Sequence, residues 1–336
     1  MNLIVLTKKW GRNFTGATLA TQYFVNRWAP HFEAIYVFTL NIGESSPESN
    51  VVVHLCKSEI DICHKIKKLL NSTKDSFIGY SDDHLGFLLG KCGLPYLHTY
   101  HGNWPDAMRT DLTYFAKGFY FIPLYKQTLK NASKVVNVSQ YMSKFTEKSN
   151  VNSVVIRNGI DVKTAYTEGE ALDKFLMVGN VDRRKYGKLL SVLKCLKKLG
   201  ITPRIDVYGR VDDKQLGKRL SKFEGVTLRG LCKTIPFKDY IGLINTSSIE
   251  NLSISVCEAL IAEIPVICFN VGGLPEVVHD GENGFVIEKF DTMQMAEKIS
   301  AIFSGYKFVN CKFKELHEFN WEHSAERYIE LFDNLV

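Results

Sequence analysis

Short apolar runs alternate with helix-length segments in this chain, and the alternation occurs twice. The residues of the runs are mostly β-branched or aromatic, as in buried strands. The runs of the first series are Asn2–Thr7, Ala34–Leu40, Val51–Cys56, Ser76–Ser81, Tyr96–Tyr100 and Lys134–Val138. Strands that alternate with helices form βαβ units, in which helices cover a parallel sheet. The pattern therefore predicts an α/β fold for the first half of the chain.

The alternation begins again after the polar stretch Asp161–Asp173. The runs of this second series are Lys174–Val178, Arg204–Tyr208, Val226–Arg229, Leu243–Ser247, Pro265–Asn270 and Gly284–Ile287. We predict two Rossmann-like, doubly wound domains, residues 1–157 and 158–310, because 336 residues exceed the usual size of one core. The segment 311–336 is expected to pack its helix back on the first domain. Ligands of such sheets bind at the carboxyl ends of the strands, so we expect a cleft between facing domains.

Charge and apolar runs narrow the class of protein. The net charge of +6 favours an anionic partner, and charge alone leaves sugar nucleotides, membranes and nucleic acids open. The first apolar run, Leu3–Leu6, is too short for a signal peptide, and no run approaches the roughly 18 residues of a membrane span. We therefore predict a cytoplasmic protein. There is no D-x-D triplet, and Asp82-Asp83 lacks a third carboxylate, so no metal site is predicted.

A pair of carboxylates in the second half carries the strongest chemical signal. Seven residues separate Glu250 from Glu258, which places one just before a helix and the other about two turns into it. The amides of Leu252, Ser253 and Ile254 begin that helix without intrahelical acceptors and are expected to bind a diphosphate. On these residues alone, it is an equally good interpretation that Glu250 only stabilises the positive helix end and that Glu258 is an exposed helical residue.

The segment 249–287 resembles the E-x7-E region of the family-4 (GT4) glycosyltransferases, which have the GT-B fold. The resemblance extends through Val155–Asp161, which is similar to the family's interdomain motif, and through Val178-Gly179. It implies a retaining, metal-independent hexosyltransferase without a cofactor. Such an enzyme would move a sugar from a nucleoside diphosphate sugar, preferably a UDP-sugar, to a hydroxyl of a glycan or lipid-linked acceptor in surface polysaccharide or glycoconjugate synthesis.

The resemblance also implies how the donor is bound. Glu250 would bind hydroxyls of the donor sugar, Glu258 those of the ribose, and the amides at the helix start the phosphates. Lys185 matches the family's diphosphate-binding lysine, but Asn180 stands where the family has an arginine. We expect Arg183 or Arg184 to compensate, since guanidinium groups bind phosphates well. The alternative is a solvated basic turn.

Two residues of the first domain complete the predicted site. His101 directly follows a strand, and the resemblance implies that it contacts the donor sugar or the reacting centre; with Glu250 it is our catalytic candidate. Gly16 ends the loop after the first strand and would approach the donor closely. That loop is not a G-x-G-x-x-G fingerprint, which argues against a dinucleotide-dependent dehydrogenase. A structural histidine and a helix-entry glycine are the alternatives.

Departures from the family pattern leave two rival functions open. Ser253 and Glu263 stand at positions usually taken by glycine. Because a left-handed Glu263 would be strained, we expect the helix to end differently there. Such losses suit a non-catalytic partner of another transferase, and a GT-B-shaped UDP-sugar 2-epimerase would bind a similar donor.

A stretch of aromatic and basic residues bears on the acceptor. It contains Tyr114, Phe115, Phe119, Tyr120 and Phe121 together with Lys117, Lys126, Lys130 and Lys134. Such a mixture suits peripheral contact with an anionic membrane, although a core helix with a solvated edge shows the same composition. Nucleic-acid binding is not expected, because the basic residues are dispersed and carry no recognised motif.

Overall fold

The computed structural model describes residues 1–11, 16–109, 112–160, 172–232, 234–309 and 311–335. The chain divides into two compact units. Unit 1 comprises Met1–Gly159 and Glu318–Val336, and unit 2 comprises Ile160–His317. Each unit contains a parallel sheet with helices, which confirms the predicted α/β class.

Unit 1 contains strands β1 to β9 and helices α1 to α6, joined by the C-terminal helix α12. The strands are β1 Asn2–Leu6, β2 Lys9–Trp10, β3 Ile35–Thr39, β4 Asn41–Ile42, β5 Val51–Leu55, β6 Phe77–Ser81, β7 Tyr96–Tyr100, β8 Lys134–Asn137 and β9 Ser153–Val155. The helices are α1 Gly16–Trp28, α2 Glu59–Ser72, α3 Phe87–Lys91, α4 Trp104–Ala107, α5 Leu112–Asn131, α6 Gln140–Thr146 and α12 Trp321–Asp333.

The main sheet of unit 1 has the order β5-β3-β1-β6-β7-β8-β9, and every neighbouring pair is parallel. All six predicted strands are present in it. The short strands β2, β4 and β9 were not predicted, because two or three residues are too few to show periodicity. The chain leaves β1 toward β3 and leaves β6 toward β7, so the strand order reverses between β1 and β6.

The C-terminal helix α12 closes the core of unit 1 against α1. Trp28 of α1 lies 5.1 Å from the rings of both Tyr328 and Phe332, measured between centroids. Aromatic pairs of this kind add about 0.5–1.5 kcal/mol each beyond the buried area. Gly159 lies so close to Trp321 that a Cβ atom there would be 2.2 Å from the indole. Glycine is therefore required at Gly159, shortly after the last strand of unit 1.

A histidine is buried in the middle of the unit 1 sheet. His98 lies on β7 with no exposed surface, and its Nδ1 lies 2.9 Å from the hydroxyl of Ser81 on β6. Burial, and to a smaller extent the neighbouring His101, lowers the pKa of His98 to about 3. The imidazole is therefore neutral in the folded protein at physiological pH.

Unit 2 contains strands β10 to β15 and helices α7 to α11. The strands are β10 Leu172–Val178, β11 Arg204–Tyr208, β12 Val226–Gly230, β13 Tyr240–Asn245, β14 Val266–Phe269 and β15 Gly284–Ile287. The helices are α7 Arg183–Tyr186, α8 Leu189–Lys198, α9 Lys214–Leu220, α10 Ile254–Ile261 and α11 Thr292–Phe303. Each predicted strand is present, although β13 begins three residues before the predicted Leu243.

The sheet of unit 2 has the order β12-β11-β10-β13-β14-β15 and is parallel throughout. Leu193 of α8 and Ile299 of α11 belong to one buried cluster with Phe175 and Ile205 of the sheet. The chain leaves β10 toward β11 and leaves β13 toward β14. The strand order therefore reverses between β10 and β13, where α/β sheets commonly bind ligands.

His98 is expected to make the free energy of unfolding depend on pH. Its pKa is lower in the folded than in the unfolded chain, so the unfolded chain takes up the proton first as the pH falls. The contribution of His98 to stability is present above about pH 6.5 and is lost toward pH 3, by at most about 1.4 kcal/mol per pH unit. Denaturant unfolding should therefore show that His98→Gln has a shallower loss of stability between pH 7 and pH 4.5 than the wild type. Parallel pH profiles would contradict a neutral, buried His98; His64→Gln, an exposed imidazole on α2, is the control.

Candidate functional site

A lysine and a glutamate meet where the strand order of unit 2 reverses. Lys185 lies on α7, which follows β10, and Glu250 lies in the loop that follows β13. The Lys185 Nζ atom is 3.9 Å from Glu250 Oε2. Ser247 donates a hydrogen bond of 3.3 Å to the same oxygen and so fixes the carboxylate. The two predicted donor-binding side chains are therefore neighbours, although 65 positions separate them in the sequence.

Hydrogen bonds connect the two loops directly. The backbone N–H of Ser248 donates to the carbonyl of Arg184 at 2.7 Å. The hydroxyl of Thr246 donates to the carbonyl of Lys185 at 2.7 Å. Asp182 caps α7 by accepting the N–H of Lys185 at 2.9 Å. The position of Lys185 relative to Glu250 is therefore set by backbone contacts as well as by the ion pair.

Glycines allow other loops to reach the same edge of the sheet. Gly272 has φ +63°, and a Cβ atom there would lie 1.5 Å from the carbonyl oxygen of Glu250. The next residue, Gly273, donates its N–H to the carbonyl of Asn251 at 3.0 Å. No other residue type fits at Gly272 without moving the Glu250 loop.

The start of α10 presents backbone donors next to Glu250. Ser253 precedes the helix but does not cap it, since its Oγ lies 3.1 Å from Oγ of Ser255. The predicted phosphate-binding amides of Leu252, Ser253 and Ile254 lie at this helix end, where N–H groups and the helix dipole favour an anion. Glu258 lies in the second turn and is half-buried.

The end of α10 contradicts the prediction that Glu263 would change it. Glu263 adopts φ +60°, and the helix ends in a Schellman motif. Ile264 donates its N–H to Ala259 and Glu263 donates to Leu260, both at 3.0 Å. The geometry of a glycine-ended helix is thus kept with a glutamate in the left-handed position. Hydrogen bonds and the buried neighbours Ala259 and Leu260 compensate for about 1 kcal/mol of backbone strain.

The predicted compensating arginines are both paired with carboxylates of their own unit. Arg183 is 80% exposed, and its Nε lies 3.1 Å from Asp213. Arg184 lies 2.8 Å from Asp182. Asn180, which stands where the family has an arginine, donates to Asp212 at 3.0 Å. The basic turn is therefore a set of ion pairs in this structure.

An arginine that was not predicted from the sequence also lies at this edge. Arg210 follows β11, and its N–H donates to the side-chain oxygen of Asn180 at 3.3 Å. Its Nε lies 2.6 Å from Asp212. His101 directly follows its strand, whereas Arg210 comes two residues after Tyr208, so a search of the residues directly after strands does not find it.

In unit 1, His101 lies at the carboxyl end of β7 and is half-buried. Gly102 follows it and packs on Tyr125 of α5, where a Cβ atom would lie 2.7 Å from the phenol. Burial lowers the pKa of His101 to about 4. At neutral pH this imidazole is therefore uncharged.

A buried acid at the reversal point of the unit 1 sheet was also missed. Asp82 follows β6, and its Oδ2 accepts hydrogen bonds from Thr7 at 3.1 Å and from Thr21 at 2.6 Å. Burial, and then the charge of Asp83, raises the pKa of Asp82 well above its usual range. The Asp82 carboxyl group is therefore buried against α1, whereas the sequence analysis considered Asp82 only as part of a possible metal site.

Other predicted features lie partly outside the described residues. Gly16 is the first residue of α1, but the loop residues 12–15 before it are not described. Among the described residues, no group of three or more His, Cys, Asp or Glu side chains has the arrangement of a metal site. The helices described here include none with the length and apolar character of a membrane span.

The aromatic stretch near α5 divides between two faces. Phe121 is half-buried and stacks on Trp104 at 4.3 Å between centroids, and Tyr114 is also half-buried. Lys134 lies on β8 rather than on the helix. The helical period turns Tyr114 and Phe121 toward the unit, whereas Phe115, Phe119 and Tyr120 are exposed.

Two family models match the chain. "Glycosyltransferase Family 4" matches residues 66–164, and "Glycosyl transferases group 1" matches residues 173–310. An uncharacterised glycosyltransferase of Methanocaldococcus jannaschii is 24% identical over 311 residues, which cover 87% of this chain and 86% of the relative. A poly(ribitol-phosphate) alpha-N-acetylglucosaminyltransferase of Staphylococcus aureus is 23% identical over 180 residues, 47% of this chain and 35% of that protein.

Solved structures share the whole architecture at low sequence identity. Sucrose-phosphate synthase from Thermosynechococcus elongatus is 18% identical with a TM-score of 0.78, covering 100% of this chain and 99% of that one. Anabaena HepE, solved with UDP and glucose, is 17% identical with a TM-score of 0.71, covering 98% and 99%. These likenesses confirm the predicted GT-B fold. With both family models matched in order, the chain belongs to the GT4-type glycosyltransferases of the GT-B fold, which transfer sugars.

Proposed function

We propose that the protein is a retaining hexosyltransferase that uses a nucleoside diphosphate sugar, preferably a UDP-sugar, and transfers the sugar to a hydroxyl of a glycan or lipid-linked acceptor. The observation that carries the proposal is the contact of Lys185 with Glu250 beside the uncapped start of α10. A cation, a helix N-terminus and a hydrogen-bond acceptor are the groups that a diphosphate and a sugar require together.

The negative charge of the leaving diphosphate is the main electrostatic demand of such a reaction. Lys185 supplies a positive charge, and the amides of Leu252, Ser253 and Ile254 supply oriented dipoles that need no reorganisation. Hydrogen bonds from Thr246 and Ser248 to the carbonyl groups of Lys185 and Arg184 hold α7 next to the loop after β13. We propose that these groups stabilise the departing diphosphate and that the reaction needs no metal ion.

The two carboxylates would recognise hydroxyl groups of the donor. Ser247 and Lys185 orient Glu250 toward one position, where its oxygens accept hydrogen bonds from hydroxyls of the donor sugar. Glu258, in the second turn of α10, would accept those of the ribose. A site built to bond hydroxyls discriminates strongly against ligands that lack them.

Retention requires no protein nucleophile in this proposal. The departing phosphate oxygen takes the proton of the acceptor hydroxyl as the new bond forms on the same face of the sugar. The neutral His101 would contact the reacting sugar and stabilise the developing positive charge through its dipole, which a charged imidazolium would oppose. Because the pKa of His101 is about 4, its imidazole would stay neutral throughout the neutral pH range. No deprotonation of His101 would then have to precede the reaction.

UDP is the preferred nucleotide because structures of Anabaena HepE contain UDP and UDP-glucose. The Staphylococcus aureus relative acts, by its name, on poly(ribitol phosphate), which is consistent with a polymeric acceptor. All eight cysteines carry free thiols, which suits the reducing cytoplasm. We therefore propose a cytoplasmic enzyme of surface polysaccharide or glycoconjugate synthesis.

Nucleotide binding tests the proposal. Calorimetry with UDP, GDP, ADP and their sugar conjugates should show one preferred nucleotide, and Glu258→Ala should weaken it at least about 10-fold, the loss of one strong hydrogen-bond acceptor. Glu297→Ala removes an exposed carboxylate of α11 and should change nothing. If no nucleotide binds the wild type, the protein is instead a non-catalytic partner of another transferase. Binding followed by release of free nucleotide without any acceptor would favour a 2-epimerase.

We further propose that α5 brings the enzyme to an anionic membrane that carries its acceptor. Large apolar side chains are exposed on one face of this helix: Leu112 at 85%, Phe115 at 47%, Phe119 at 66% and Tyr120 at 57%. The helix also contains three lysines and no acidic residue. Buried aromatic rings contribute about 1.5–3 kcal/mol each, and each lysine near anionic lipid about 1 kcal/mol.

Vesicle sedimentation tests the membrane proposal. The wild type should bind vesicles that contain phosphatidylglycerol, and the double variant Phe115→Ser, Phe119→Ser should lose at least about 10-fold in partitioning, since two apolar anchors are removed. Ile60→Ser removes a still more exposed apolar side chain from α2 and should bind like the wild type. Equal binding to uncharged phosphatidylcholine, or association only between copies of the chain in light scattering, would contradict an anionic membrane as the partner.

A further inference from the structure

Strands β10 and β11 of unit 2 stay side by side beyond their carboxyl ends. Gly179 donates its N–H to Tyr208, and Val181 donates to Arg210, both at 2.8 Å. A Cβ atom on Gly209 would lie 2.1 Å from the carbonyl oxygen of Gly179. This close approach brings Arg210 next to Asn180.

Arg210 is therefore close to the proposed diphosphate site. A Cβ atom on Gly179 would lie 3.0 Å from Lys185 Nζ, so the ammonium group rests over the residue before Asn180. Arg210 in turn bonds Asn180 through its own N–H. The Lys185 ammonium group thus lies over Gly179, and the backbone of Arg210 bonds the adjacent Asn180.

The guanidinium of Arg210 is paired but accessible. The side chain is 65% exposed and contacts Asp212 through Nε at 2.6 Å. That contact uses one of the five N–H donors of the group. Arg210 lowers the pKa of Asp212, which is therefore a carboxylate that also accepts from Asn180. The ion pair is exposed and contributes little to stability, so an anionic ligand can replace Asp212 at small cost.

Binding of a nucleoside diphosphate at Lys185 would need a second positively charged group. A nucleoside diphosphate brings more than one negative charge, whereas the charge of Lys185 is balanced by Glu250 at 3.9 Å. Arg183 and Arg184 pair with Asp213 and Asp182, as Arg210 does with Asp212. What distinguishes Arg210 is the hydrogen bond from its backbone N–H to Asn180, the residue after Gly179, over which Lys185 lies. An arginine offers two parallel N–H bonds to phosphate oxygens, which a lysine does not.

We infer that Arg210 is a diphosphate-binding residue of this chain, with its guanidinium moving from Asp212 to the phosphates when the donor binds. This inference rests on the proposed function, because it assumes a nucleoside diphosphate at Lys185. Asp212 keeps its hydrogen bond from Asn180 in the bound state. The side-chain oxygen of Asn180 continues to orient the Arg210 backbone, so the asparagine has a positioning role in place of a charge.

A double-mutant cycle with UDP as the probe tests the inference. By calorimetry, Arg210→Gln should weaken UDP binding about 10-fold or more, the effect of losing a charge-assisted hydrogen bond. Arg210→Lys should recover part of the loss because it keeps the charge. Arg219→Gln removes an exposed arginine from α9 and is the matched control, expected to bind like the wild type.

The Asp212→Asn background separates direct contact from simple neutralisation of Asp212. If Arg210 binds the diphosphate, Arg210→Gln weakens UDP binding in that background as well. If the loss disappears there, or if Arg210→Gln never weakens binding while Glu258→Ala does, the inference is wrong and the proposed function stands. If no nucleoside diphosphate binds the wild type, both are wrong.

Discussion

The arrangement of unit 2 depends on the reversal of strand order between β10 and β13. The chain runs to opposite sides of the sheet after these two neighbouring strands, which leaves a crevice at their carboxyl ends. The loops that border the crevice are held in place by hydrogen bonds between them. Here Thr246 and Ser248 bond the carbonyl groups of Lys185 and Arg184. The Lys185 to Glu250 contact, and every role proposed around it, follows from that fixation.

The arrangement at the carboxyl edge of the unit 2 sheet also requires that backbone segments approach one another closely. The loop after β14 reaches Glu250 only because Gly272 has no side chain, and the ends of β10 and β11 meet only because Gly209 has none. The left-handed Glu263 shows the opposite case, in which strain is tolerated since the Schellman hydrogen bonds and buried neighbours determine the helix end. At the end of α10, tertiary contacts therefore outweigh the intrinsic backbone preference of the residue.

The sequence predicted the fold well because long parallel sheets leave continuous apolar runs, and each predicted run is a strand. It also predicted that Lys185 and Glu250 would come together, through order along the chain and family resemblance. It did not reveal the contact of Asn180 with Asp212, since these residues are 32 positions apart and meet only through strand pairing. Burial of Asp82 was equally hidden, because an acid after a strand gives no sign of which residues cover it.

The central claim is that the loops after β10 and β13, with the start of α10, bind the diphosphate sugar. Hydrogen–deuterium exchange with and without UDP-glucose tests it most directly, as bound phosphates and ordered loops slow the exchange of nearby amides. The account predicts slower exchange from Gly179 to Lys185 and from Glu250 to Glu258, with little change in α9. Unchanged exchange in both segments at saturating ligand would contradict the account.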